Sequence, residues 1–199
     1  MVKKIVVRPI SAQVALGRSR AIVKKYNLGE DLGFSTKFTR RAGEFLKNGK
    51  PEMAIRQYLT GRSANGFVAY DAALEQFRKG KPIPSKLFSD VVKKIQSTSK
   101  LESMADEIIR YKQSGKIPEQ HASDYLSSIA TRSLGLGPDY FPAMTSWHEQ
   151  YGHTPQSVHF RDMYDLVGAH VPKPLSEALK TRRDALIAEA RKARNSAKA

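Results

Sequence analysis

The feature that most constrains this chain is a junction that recurs three times. F-L-K-N-G-K-P stands at 45–51, F-R-K-G-K-P-I-P at 77–84 and Y-K-Q-S-G-K-I-P at 111–118. Each has an aromatic residue, a basic residue, Gly-Lys, a proline and then a new apolar run. Glycine takes the left-handed conformation that closes a helix at no Cβ cost. Proline suits a helix start, where its missing N–H has no intrahelical partner to lose. Such a junction reads as one helix stopping and the next beginning. Gly49, Gly80 and Gly115 lie 31 and 35 residues apart, a period that suits stacked helical hairpins.

Between the junctions the apolar residues recur at helical spacing. Phe38, Ala42, Phe45 and Leu46 share one face of a helix capped by Thr36, and Ala54, Ile55, Tyr58 and Leu59 follow Pro51. Phe67, Tyr70, Leu74 and Phe77 form the next face. Leu87, Phe88, Val91, Val92 and Ile95 follow Pro82 and Pro84, until Ser97–Ser99 breaks the run. Leu101, Met104, Ile108 and Tyr111 make a further face, and Ala122, Tyr125, Leu126 and Ile129 make one after Pro118. The expectation is an all-α chain of antiparallel helical hairpins in one irregular bundle or short solenoid. Phe45, Tyr58, Leu74, Phe77, Leu87 and Tyr125 are expected to be buried.

Four stretches follow from this patterning. Residues 1–35 read as a basic arm and helix: an extended segment over 1–10, where any strand is confined, then a helix from Ser11 to about Tyr26. Residues 36–133 are the hairpin core. Residues 134–172 are rich in turns and aromatics, with a short helix from about Gln156 to Ala169. Pro172 and Pro174 break the chain again, and residues 173–199 hold a basic C-terminal helix, Ser176 to Arg194, with a frayed tail.

The first junction in its wider setting, RRAGEFLKNGKPEMAIRQYL at 40–59, resembles the middle of a tetratricopeptide unit. The matching residues are Phe45, Gly49, Ala54 and Tyr58. The resemblance implies two closely packed antiparallel helices with the small Ala54 where they touch. It covers only this segment. Ser85 and Gln120 stand where the other two junctions need alanine, and the tryptophan-leucine-glycine opening is missing.

Charge is the second constraint. The chain carries 34 Lys+Arg against 19 Asp+Glu, a net charge of +15. The surplus is uneven: +9 over residues 1–50, +5 over 51–100, −4 over 101–172 and +5 over 173–199. Clustered cations gain affinity for a polyanion by releasing its condensed counterions, without reading sequence. The candidate nucleic-acid contacts are Lys3, Lys4, Arg8, Arg18, Arg20, Lys24, Lys25, Arg40, Arg41 and Arg62, with Arg182, Arg183, Arg191, Lys192 and Arg194 from the C-terminal helix. The acidic 134–170 stretch is a poor phosphate binder. Its aromatics Tyr140, Phe141 and Trp147 are candidate anchors for a protein partner.

Other classes find little support. No apolar run reaches the roughly 18 residues of a membrane span, and the start of the chain, interrupted by Arg8 and Pro9, is not a secretory signal. Cysteine is absent, which removes disulfides, a thiolate nucleophile and thiolate zinc sites. The most enzyme-like group is His148, His153, His159 and His170 with Glu149, Asp162 and Asp165. A zinc-protease helix needs its two histidines four apart. The WHEQYGH spacing of five turns the rings about 140° away from each other on a regular helix. No P-loop, dinucleotide fingerprint or G-x-S-x-G elbow is present. Glu102, Asp106 and Glu107 suit the start of a helix, where the macrodipole favours carboxylates.

The expected function is that of a non-enzymatic, cofactor-free accessory or structural protein of a nucleic-acid-containing assembly, a ribonucleoprotein or a virion. It would contact RNA or DNA through backbone phosphates and protein neighbours through its middle. Its expected location is intracellular or within a virus particle. One alternative is a phage structural or connector protein working by protein–protein contacts. A second is a metal-dependent hydrolase or nuclease using the His148–His170 region.

Overall fold

In a computed structural model of the chain, the described residues are 36–60, 66–141, 143 and 150–196. They form an all-α structure, with no strand among the described residues. The helices are α1 (Thr36–Lys47), α2 (Pro51–Tyr58), α3 (Gly66–Arg78), α4 (Ser85–Lys93), α5 (Thr98–Gln113), α6 (Glu119–Leu134), α7 (Pro155–Val167) and α8 (Lys173–Ser196). A 3-10 turn, Pro138–Tyr140, follows α6. The expected arm, strand and helix of residues 1–35 lie outside the described residues, as do Arg62 and Trp147.

The three junctions share one local geometry. Gly49, Gly80 and Gly115 have φ of 68°, 66° and 70°. The lysine after each donates its N–H back into the helix: Lys50 to the carbonyl of Phe45 at 2.8 Å, Lys81 to Gln76 at 2.9 Å and Lys116 to Tyr111 at 2.9 Å. The glycine N–H groups donate to Leu46, Phe77 and Lys112. This pair of bonds is the Schellman closure, and it satisfies carbonyls that the helix end would otherwise leave open.

The helix starts refine the sequence expectation. The break expected at Ser97–Ser99 falls at 94–97: α4 ends at Lys93, and Ser97 caps α5, its Oγ accepting the Lys100 N–H at 3.3 Å. Pro174 does not break the chain. It lies in the first turn of α8, where the N–H groups of Leu175 and Ser176 already donate to the Pro172 carbonyl and proline costs no bond. α7 begins at Pro155 behind a capping box in which Thr154 and Ser157 accept each other's backbone N–H, both at 2.9 Å. It ends at Val167 rather than Ala169.

The chain divides into two compact units, Met1–Lys94 and Ile95–Ala199, a boundary that falls inside the 36–133 stretch. In the first, α2 packs against α1, α3 and α4, and α3 packs against α4. Ala54 is fully buried, as are Ile55, Tyr70, Phe77 and Phe88. Phe88 meets Tyr70 edge-on at 6.2 Å and Phe77 at 6.1 Å between ring centres. Tyr58, Leu74, Leu87 and, in the second unit, Tyr125 are buried as their spacing predicts. Phe45 is only half-buried. It ends the first described helix, for which α2 is the main helical neighbour.

In the second unit, α5 packs against α6 and α7, and α8 packs against α7 and α6. Leu101, Met104, Ile108, Tyr125, Leu126, Ile129, Phe160, Met163 and Leu179 fill the centre. The Arg132 guanidinium donates to the Ile95 carbonyl at 2.9 Å and ties the end of α6 to the start of the unit.

Candidate nucleic-acid interface

α8 positions the largest described set of candidate cations. Leu179, Leu186 and Ala190 lie on one side and are buried, because residues about three to four apart share a helix face. The cations are placed by the same periodicity. Arg182, Arg191, Lys192 and Arg194 are exposed, and no Asp or Glu stands among residues 190–199. No ion pair joins Arg191, Lys192 or Arg194 to a described carboxylate.

Three of the arginines have structural work as well. Arg183 is half-buried: its guanidinium lies 4.3 Å from the centre of the Tyr164 ring and donates from Nε to Asp184 at 2.9 Å. That stacking spends its planar face and part of its donor fork. Arg182 lies 5.9 Å from the Phe160 ring centre. Arg194 passes beside Gly152, where a Cβ would come within 3.0 Å of its Cδ. The stem of Arg194 is thus packed on the 150–154 turn while the residue remains exposed.

Of the other candidates, Arg41 is exposed on α1, and Arg40 lies on the same helix. Lys3, Lys4, Arg8, Arg18, Arg20, Lys24, Lys25 and Arg62 lie outside the described residues. Arg41 belongs to the first unit and the α8 cations to the second.

The aromatic segment divides into an inner and an outer part. Phe141 is half-buried, 5.5 Å from the His159 ring and 6.4 Å from Phe160. Tyr140 is exposed, with the Arg132 guanidinium 5.6 Å from its ring centre. Tyr151 is also exposed.

The histidines do not converge among the described residues. His159 is buried, and its Nδ1 donates to Oε1 of Glu102 from α5, 57 residues earlier. Its Nε2 is buried with no hydrogen-bond partner. Phe160 stands edge-on to the ring at 5.4 Å. Asp162 accepts from the neighbouring Arg161 at 2.9 Å, and Asp165 is exposed. His170 lies near Glu119 instead, whose carboxyl is held below its ordinary range. The Lys112 hydrogen bond is the main cause, then the Lys112 charge; desolvation opposes them, and His170 adds the smallest pull. His148 and Glu149 lie outside the described residues. Among the described residues no three His, Cys, Asp or Glu side chains are grouped to hold a metal ion.

Sequence reasoning missed Glu102 as a partner of His159. It assigned Glu102, Asp106 and Glu107 to a helix start, but α5 begins at Thr98 and has no acid in its first turn, and no local signal marks a partner 57 residues away.

No protein-family model matches the chain, and no curated protein or solved structure matches it either.

Proposed function

We propose that the chain is a non-enzymatic accessory or structural protein of a nucleic-acid-containing assembly, a ribonucleoprotein or a virion, and that it contacts phosphate backbones. The observation that carries this reading is the last turns of α8. Arg191, Lys192 and Arg194 stand exposed in a stretch without Asp or Glu, on a helix whose apolar side is occupied by the core. The charge distribution adds to it: residues 1–94 carry a net +13 and residues 95–199 a net +2. Contacts of this kind position a protein on a duplex without reading its bases. The chain acts inside a cell or a virus particle in this reading.

A salt titration tests it. Log affinity for duplex DNA should fall with log salt at about 0.9 per neutralised phosphate. Replacing Arg191, Lys192 and Arg194 with glutamine should flatten the line by roughly two to three. Absence of binding at low salt overturns the proposal.

A second reading, a phage structural or connector protein working through protein contacts, is favoured by the exposed rings of Tyr140 and Tyr151. Aromatic residues are enriched where interfaces bury their anchors. Self-association or capture on an assembled particle without nucleic acid would support it.

A further inference from the structure

We infer that the loop joining α3 to α4, residues 78–86, is a phosphate-binding site of the first unit, an inference that rests on the nucleic-acid reading above. The class of ligand is the phosphodiester backbone.

The three Gly-Lys junctions share one closure but not one electrostatic setting. In the third, Lys112 is held by Glu119 at 2.6 Å, and the Lys116 ammonium lies 5.8 Å from the Tyr111 ring centre. Glu119 also places an acid in the first turn of α6. That junction engages its own cations. The first sets Lys47 and Lys50 between Glu44 and Glu52. The second has no such counterweight. Arg78, Lys79, Lys81 and Lys86 stand in a stretch, 76–89, without Asp or Glu, and all four are exposed. The first turn of α4 holds no acid. Arg78 has a partner, as does Glu75, the nearest acid before the stretch. Asp90, the nearest after it, is bonded to Lys93 at 3.2 Å. No ion pair joins Lys79, Lys81 or Lys86 to a described carboxylate.

The backbone that carries these lysines is fixed. The N–H groups of Lys79 and Lys81 both donate to the Gln76 carbonyl, at 3.0 and 2.9 Å. Pro82 and Pro84 restrict φ on either side of Ile83, whose side chain is buried. The loop is pinned to the core at its middle while its cations stay outside. Only side-chain entropy is left to lose when a ligand binds. A Cβ on Gly80 would meet nothing within 4 Å, so a phosphate chain can approach the closure without displacing a side chain. Lys79, Lys81 and Lys86 repel one another. Each phosphate they neutralise relieves that repulsion and releases condensed counterions.

The competing role for Lys79 and Lys81 is structural. Cations near a helix C-terminus favour the macrodipole whether or not a ligand binds. Lys112 and Lys116 hold comparable places at the end of α5, so the third junction serves as the control.

Two variants of the full chain are compared with the parent. One has Lys79 and Lys81 replaced by glutamine, the other Lys112 and Lys116, so each loses two charges. Affinity for a labelled DNA duplex and a labelled single-stranded RNA is measured across a range of salt. The first variant should flatten the plot of log affinity against log salt by about 0.9 per lost contact on the duplex or about 0.7 on the single strand. The second should leave it unchanged. The probe that loses slope identifies the backbone recognised. Lys79→Arg with Lys81→Arg should keep the parent slope, and the urea midpoint should stay unchanged in the first variant. Equal flattening in the two glutamine variants means that binding follows net charge, and overturns the loop site. An unchanged slope in the first variant, while the α8 prediction holds, overturns the loop site and leaves the nucleic-acid reading standing. A lowered urea midpoint with that unchanged slope assigns the lysines to the helix dipole and overturns it equally. A parent chain that binds neither probe removes both.

Discussion

Tyr70, Phe77 and Phe88 fill the centre of the first unit with interlocking rings. The second unit is closed by the same kind of glycine caps, yet it places an imidazole, His159, against Phe141 and Phe160 and gives it a carboxylate from another helix. Ser133 is also buried there with an unpartnered hydroxyl. The first core gains mainly from apolar area: burying a large apolar side chain contributes about 1.5–3 kcal/mol. The second depends on orientation. A buried polar group is neutral or favourable only while its partner stays in reach. The first unit should therefore tolerate volume-conserving swaps, and the second should be sensitive to single-atom changes around Glu102 and His159.

The largest expected effect belongs to the ring core. Phe88 is fully buried and touches both other rings. Phe88→Ala should cost about 3–5 kcal/mol, read from chemical denaturation of the full chain. Phe45→Ala, at a half-buried position on the same unit, should cost clearly less. Equal costs would mean that burial does not rank the two sites.

Next comes the polar pair. Glu102→Leu leaves Nδ1 of the buried His159 without its acceptor and should cost about 1–3 kcal/mol. Adding His159→Leu should recover part of that loss, because an apolar replacement of both partners leaves nothing unsatisfied. A double variant as unstable as the sum of both single ones would show that the pair is not coupled.

A smaller effect compares two left-handed glycines. Gly80→Ala meets only the backbone penalty, about 1–2 kcal/mol, because nothing lies near its new Cβ. Gly152→Ala, at φ 69°, meets the same penalty and also the stem of Arg194 at 3.0 Å. The excess of Gly152→Ala over Gly80→Ala measures how tightly α8 is held to the 150–154 turn. It should disappear when Arg194 is shortened to alanine.

The smallest concerns Lys112 and Glu119, joined at 2.6 Å on the surface. The folded chain holds the Glu119 carboxyl below its ordinary range, mainly through the Lys112 hydrogen bond. The contribution of the pair is thus complete above the ordinary carboxylate value and is lost as pH falls through the lowered one. Lys112→Gln should move the Glu119 titration upward, seen by side-chain carbon resonances, and should leave the denaturation midpoint nearly unchanged, since exposed pairs contribute little.

The helix ends were legible because their causes are local. Gly49, Gly80 and Gly115 each close a helix through bonds that reach back no more than six residues, and the apolar spacing before each of them points to the buried face. Pro174 was misread for a related reason. It is acceptable both as a break and as a first-turn residue, and the flanking residues do not distinguish the two. The candidate cations of α8 were legible as a group. That Arg183 is committed to Tyr164 and Asp184 was not, because residue type says nothing about which ring a guanidinium will meet.

What the sequence determined by itself is the all-α class, most of the helix boundaries and the asymmetry of charge, each a consequence of backbone conformation, helical period or residue count. Tertiary structure alone decided the division after Lys94, the pairing of His159 with Glu102 and the stacking of Arg183 on Tyr164. These depend on how helices are rotated and packed against one another. That packing is set by the summed fit of many side chains distant in sequence, and no short stretch of residues encodes it.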